Sequence, residues 1–140
     1  MKKTIYIGGT FDLFHVGHIN LLKNSKKHAD YSIVAINSDE FAESYKRKPV
    51  LSEIERLEAV RACKYVDLAF IVESWDSQRK YISMLKPNYI LHGNDWQGES
   101  LISQLNMTEE LMDEIGIKLI YEPYTVGISS RDIIKRIKHD

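Results

Sequence analysis

Two histidines three residues apart, His15 and His18, flank Gly17 and follow the stretch Gly8-Gly9-Thr10-Phe11-Asp12. Two glycines at the end of an apolar run let the backbone turn sharply and come close to a ligand. Histidines at i and i+3 that open a helix stand beside unpaired N–H groups and the positive end of the helix dipole, which favour an anion. Imidazoles placed there can donate hydrogen bonds to phosphate oxygens and stabilise charge as it develops. Gly17 removes a side chain that would crowd the approach. Zinc is a poorer reading, since no cysteine and no obvious third ligand lies nearby in sequence. The pattern is neither the G-x-G-x-x-G of dinucleotide binding nor the Lys-bearing phosphate loop.

Three further polar clusters stand out. Lys46-Arg47-Lys48 sets three cations side by side, either as a solvated loop or as an anion site. His92-Gly93-Asn94-Asp95-Trp96 and Tyr124-Thr125-Val126-Gly127-Ile128-Ser129-Ser130-Arg131 are the others. Ser129 and Ser130 begin a helix, so they either cap it or add a second set of donors for phosphate.

All four clusters directly follow a strand pattern. Thr4–Ile7, Tyr31–Ile36, Leu68–Val72, Tyr89–His92 and Lys118–Tyr121 read as short buried strands. Helix patterns run over Gly17–Ala29, from Ser52 through Val60, over Asp76–Leu85, over Thr108–Ile115 with Gly116 closing it, and over Ser129–Ile137. Ser52 and Glu55 fit a capping box. Strands alternating with helices imply βαβ crossovers, a five-stranded parallel sheet and helices on both faces. Ligands of such sheets bind beyond the carboxyl ends of the strands. Cys63 reads as a small core residue, His28 and His139 as surface groups, and Trp75 as packing ahead of a place at the border of an acceptor site.

Composition bounds what such a site could serve. The 140 residues suit one domain, 1–140, with no repeats or linkers. A single cysteine excludes an internal disulfide, and a net charge of −1 gives no global drive toward nucleic acid or anionic lipid. No apolar run approaches a membrane span and no signal-peptide core follows Lys2-Lys3, so a cytoplasmic protein is expected.

Gly9-Thr10-Phe11-Asp12 with His15-Val16-Gly17-His18 resembles the G-T-F-D-x-x-H-x-G-H signature of the cytidylyltransferase branch of the nucleotidyltransferase superfamily. Lys64-Tyr65-Val66-Asp67 resembles that branch's R-Y-V-D segment, Gly93-Asn94-Asp95-Trp96 its G-D-D-W, and Thr125 to Ser130 its T-E-G-I-S-T. In this order the four stations are similar to the glycerol-3-phosphate cytidylyltransferase-like family. The resemblance implies a Rossmann-like doubly wound α/β domain and transfer of CMP from CTP to a phosphorylated small alcohol, glycerol 3-phosphate or a related polyol phosphate. Pyrophosphate would leave, with Mg²⁺ as cofactor and a homodimer as the assembly.

By the same resemblance His15, His18, Lys48 and Ser129 are catalytic. Gly9, Thr10, Phe11, Asp12, Gly17, Lys64, His92, Gly93, Asp95, Trp96, Thr125, Gly127, Ile128 and Ser130 then join His15, His18 and Ser129 around the nucleotide. Lys46, Arg47, Lys48, Arg56 and Tyr124 fall to the acceptor, and Asp12 to the metal. Departures from the family pattern are Tyr45, Arg47, Lys64, Asn94 and Tyr124, the last standing where glycerol-3-phosphate enzymes carry Arg. They leave open a phosphonate or other phosphorylated acceptor. An adenylyltransferase of the FAD-synthetase type and a nucleotide-binding protein without turnover also remain.

Overall fold

A computed structural model describes residues 2–93, 109–123 and 125–139. Five strands, β1 (Thr4–Gly9), β2 (Tyr31–Asn37), β3 (Leu68–Val72), β4 (Tyr89–Gly93) and β5 (Lys118–Glu122), form one parallel sheet in the order β3-β2-β1-β4-β5. The helices among the described residues are α1 (Val16–Ser25), α2 (Asp39–Tyr45), α3 (Glu53–Arg61), α4 (Trp75–Leu85), α5 (Glu109–Ile115) and α6 (Ser130–Lys138).

The register explains the two-sided core. Ile120, Leu91, Ile7, Val34 and Ala69 form one row across the sheet, and Leu119, Ile90, Tyr6 and Ile33 the next. Because side chains alternate along a strand, the first row packs with Leu22 of α1 and Leu57 and Val60 of α3. The second row packs with Phe41 of α2, Ile82 of α4 and Met112 of α5 on the opposite face. A sheet covered on both sides in this way uses near-continuous apolar strands, as β2 does. The chain leaves β1 for β2 and β3, then crosses back to β4 on the other flank of β1. A crevice at the carboxyl ends of β1 and β4 follows from that reversal. Among the described residues, no helix is long and apolar enough to cross a membrane.

The expected elements are present with shifted ends. Gly116 ends α5 in the left-handed region, at φ 84°, where a side chain would be strained. α1 stops at Ser25 rather than Ala29, because the N–H groups of Lys26, Lys27 and His28 bond three residues back and tighten the turn. α2 is an element that the sequence patterns did not predict. Ser38 caps it, Asp39 and Glu40 favour its N-terminus, and Phe41 and Ala42 are buried.

Candidate active site

The pair His15 and His18 is a helix cap before it is anything else. His15 caps α1: its Nδ1 accepts from the Gly17 N–H at 3.0 Å, while His18 Nδ1 accepts from the His15 N–H at 3.2 Å. This is the reciprocal capping box with imidazoles in place of Ser and Glu. Each Nδ1 is an acceptor, so in the neutral ring the proton sits on Nε2. The rings stack at 3.8 Å, with Phe14 stacked on His18 at 5.6 Å. Burial lowers the His15 pKa. For His18, burial and the neighbouring His15, opposed by Asp12, lower it to about 3. Two neutral imidazoles with locked tautomers thus line the cleft as N–H donors. Gly17 is required for a nearer reason than ligand approach: a Cβ there would lie 2.9 Å from the His15 ring.

The loop entering α1 is strained and held. Phe11 and Leu13 both take positive φ, at 55° and 52°, which costs roughly 1–2 kcal/mol for each non-glycine residue. Buried Asp12 compensates by ordering two loops. Its Oδ2 accepts from Arg47 Nη1 and the Val50 N–H, each at 2.8 Å, and Oδ1 from the Leu51 N–H at 3.0 Å. Burial alone would raise this carboxyl's pKa, but the Leu51 and Val50 N–H groups and the Arg47 guanidinium hold it below the ordinary value. Ser130 Oγ donates to the Asp12 carbonyl, tying the start of α6 to the same loop. Ser129 caps α6, accepting from the Asp132 N–H and donating to Asp132 Oδ2, both at 3.0 Å. Asn20 Nδ2 donates to Thr125 Oγ1 at 3.0 Å.

These groups open onto a cleft of about 860 Å³ at the carboxyl end of the sheet. Gly9, Thr10, Phe11, Asp12, His15, Gly17 and His18 line it, with Lys46, Arg47, Thr125, Gly127, Ile128, Ser129 and Ser130. On the α4 side it continues into a recess of Tyr6, Asn37, Tyr45, Trp75, Gln78, Ile82 and Ile90. Sequence reasoning missed Tyr6, Asn37, Gln78 and Asp132 there. The available signal was Gln78, a polar residue on the stripe of Trp75 and Ile82.

A cytidylyltransferase-like family model matches residues 6–136. The chain belongs to the cytidylyltransferase-like family. It is 34% identical to glycerol-3-phosphate cytidylyltransferase from Bacillus subtilis (strain 168), covering 98% of each chain. It is 32% identical to ethanolamine-phosphate cytidylyltransferase from Dictyostelium discoideum over 96% of its own length, but covers 38% of that protein. Of the longer curated relatives it spans only 27% to 45%. The crystal structure of a lipopolysaccharide core biosynthesis protein from Thermoplasma volcanium GSS1 superposes with a TM-score of 0.70. Their identity is 28%, over 89% of this chain and 98% of the other.

Against the family pattern, four residue expectations change. Arg56 does not meet the acceptor: it is fully buried, donating to the carbonyls of Leu51, Thr10 and Asn37 at 3.0, 2.8 and 2.7 Å and pairing with Asp39 at 2.7 Å. It positions the β1 and β2 ends rather than touching ligand. Lys64 is also displaced. It follows α3, which runs back toward the amino ends of the strands, so it lies exposed against Tyr65 at the edge opposite the cleft. Lys48 is exposed beside the cleft but does not line it, whereas Lys46 and Arg47 do. Asp12 does not fit a metal, because its oxygens are taken by three donors; among the described residues no cluster of three His, Cys, Asp or Glu could hold one. His92 and Gly93 end β4 beside β5, while Asn94, Asp95, Trp96 and Tyr124 lie outside the described residues. Trp75 packs on Phe41 and Tyr45, at 5.0 and 5.3 Å, and also lines the recess.

Proposed function

We propose that this chain transfers CMP from CTP to a phosphorylated small alcohol, releasing pyrophosphate. The observation that carries the reading is the imidazole capping box, which commits both Nδ1 atoms and leaves Nε2 as the N–H donor of two histidines lining the cleft of a cytidylyltransferase-like chain. An oxygen of the acceptor phosphate attacks the α-phosphorus in line, so no protein nucleophile is needed. The protein's work is positioning and charge neutralisation. His15 and His18 donate to phosphate oxygens as charge gathers on them, without a change of protonation state. Lys46 and Arg47, on the cleft wall, balance the charge of acceptor phosphate and triphosphate. Magnesium enters this reading as the triphosphate's counter-ion, not as a ligand of Asp12.

A cytoplasmic homodimer completes the reading; Val50 and Ile54, 60% and 58% exposed, are apolar groups that a second copy would cover. Pyrophosphate release from CTP, with phosphorylated acceptors and divalent metal, tests the central claim. Release from ATP and none from CTP would overturn it, and light scattering of the eluting protein reads the assembly.

A further inference from the structure

Between β5 and the first turn of α6, Thr125, Ser129 and Ser130 bring hydroxyls to the cleft. A hydroxyl has one proton to give and two lone pairs to receive. Ser129 Oγ gives its proton to Asp132 Oδ2 at 3.0 Å while accepting from the Asp132 N–H, and Ser130 Oγ gives its own to the Asp12 carbonyl. Both serine protons are therefore committed within the chain. Thr125 differs. Among the described residues its Oγ1 makes one hydrogen bond, as acceptor from Asn20 Nδ2 at 3.0 Å.

Asn20 lies on α1, one turn beyond Gly17 and on the same face. That face meets the loop, since a Cβ on Gly17 would stand 3.3 Å from Ile128 Cγ2. α6 holds the loop as well: Arg136 Nη2 donates to the carbonyl of Gly127, which sits at φ 83°, at 3.4 Å. Asn20 is half-buried and is not part of the cleft wall, whereas Thr125 is. Its influence passes through the hydroxyl of its neighbour. With an amide N–H on one lone pair of Oγ1, the O–H must point away from Asn20, and the cleft is the open direction. An anion in the cleft then receives a proton instead of facing a lone pair, and hydrogen bonds to charged groups are the stronger class.

We propose that Asn20 is a positioning residue for the nucleotide: by occupying a lone pair of Thr125 Oγ1 it turns the hydroxyl proton into the cleft, where it donates to a phosphate oxygen of the triphosphate. The same device operates at the start of α1, where backbone N–H groups occupy Nδ1 of His15 and His18 and leave Nε2 to donate. This rests on the reading above that the cleft takes CTP, but not on turnover.

Calorimetric titration with CTP, inorganic tripolyphosphate and cytidine tests it, beside CTP and acceptor KM values from pyrophosphate release. Asn20→Ala, which favours the helix by propensity, weakens CTP and tripolyphosphate about tenfold, the scale of one hydrogen bond to a charged group. Cytidine binding and acceptor KM stay unchanged, and Tm does not fall. Asn20→Asp accepts where Asn donates, so it draws the Thr125 proton to itself and weakens both phosphate ligands further. Thr125→Val loses at least as much as Asn20→Ala, and the double variant loses no more than Thr125→Val alone, because the pair acts as one unit. Thr125→Ser keeps the hydroxyl and keeps the affinity for tripolyphosphate. Additive losses in the double variant overturn the proposal, as does a loss confined to cytidine or to acceptor KM. A fall in Tm with CTP affinity unchanged overturns it too, by making Asn20 a purely structural tie. Absence of pyrophosphate release with every acceptor removes the turnover reading alone, and the titrations still decide the role of Asn20.

Discussion

The two halves of the cleft are built on different principles. On the α1 side, function is carried by backbone: a strained loop, two helix N-termini and imidazoles whose Nδ1 atoms are committed to N–H groups two and three residues away. On the α4 side it is carried by packing, with Tyr6, Asn37, Tyr45, Trp75 and Gln78 brought together from two strands and two helices. The first half is a local device and suits a group common to all substrates, the phosphate. The second is assembled at long range, so it can vary between relatives without disturbing the phosphate half. Arg56 stands between them, bonding the Thr10 carbonyl of one and the Asn37 carbonyl of the other.

That contrast can be broken in order of size. Arg56→Ala strips the Leu51, Thr10 and Asn37 carbonyls and Asp39 of their partner, and is expected to cost about 3–5 kcal/mol in denaturant unfolding. A loss below about 1 kcal/mol would show that the halves do not depend on a common support. His15→Ala or His18→Ala should lower kcat by about 10²-fold, or about 2.7 kcal/mol, with the acceptor KM nearly unchanged. If instead the acceptor KM carried the whole effect, the histidines would belong to the recess. Gly17→Ala, which forces the His15 ring to move, should cut kcat by roughly tenfold or more while sparing acceptor KM. Lys64→Ala, at the opposite edge of the sheet, should alter stability by less than about 0.5 kcal/mol and leave a monomer's kinetics untouched.

The histidines also set a pH signature. The His18 pKa lies at about 3 in the folded chain, against an ordinary 6.5 when exposed. The folded state therefore binds fewer protons than the unfolded state between those values. Its contribution to stability is complete above pH 6.5 and is lost progressively as pH falls toward 3. Circular dichroism melts should show Tm falling through this window, and His18→Asn, which cannot take up the proton, should flatten that slope. An equally steep slope in the variant would assign it to other groups, His15 or the carboxylates.

Much of the phosphate half was legible because its logic is short-range. Gly8-Gly9 ending β1, the i, i+3 histidines and the Ser129 cap each act within a few residues, and the alternation of strand and helix patterns gave the parallel sheet. α2 is short and only Phe41 and Ala42 are buried in it, so its apolar pattern is weak, although Ser38 and the acidic first turn are an ordinary start signal. Arg56 and Lys64 were misplaced for another reason. Both are cations on or just beyond one helix, and nothing in their spacing says that the helix carries the chain from the cleft edge to the far edge of the sheet.

Local chemistry in the chain thus determined that a glycine turn at the end of β1 would lead into a helix start flanked by two histidines. Only the tertiary structure decided which cations face that turn, that the oxygens of Asp12 are taken by its own chain, and that a neutral recess lies beyond it. Caps and turns close over a few residues and are written in their spacing. Burial and cleft geometry depend on which strands become neighbours, and the order β3-β2-β1-β4-β5 exists only once the sheet has formed.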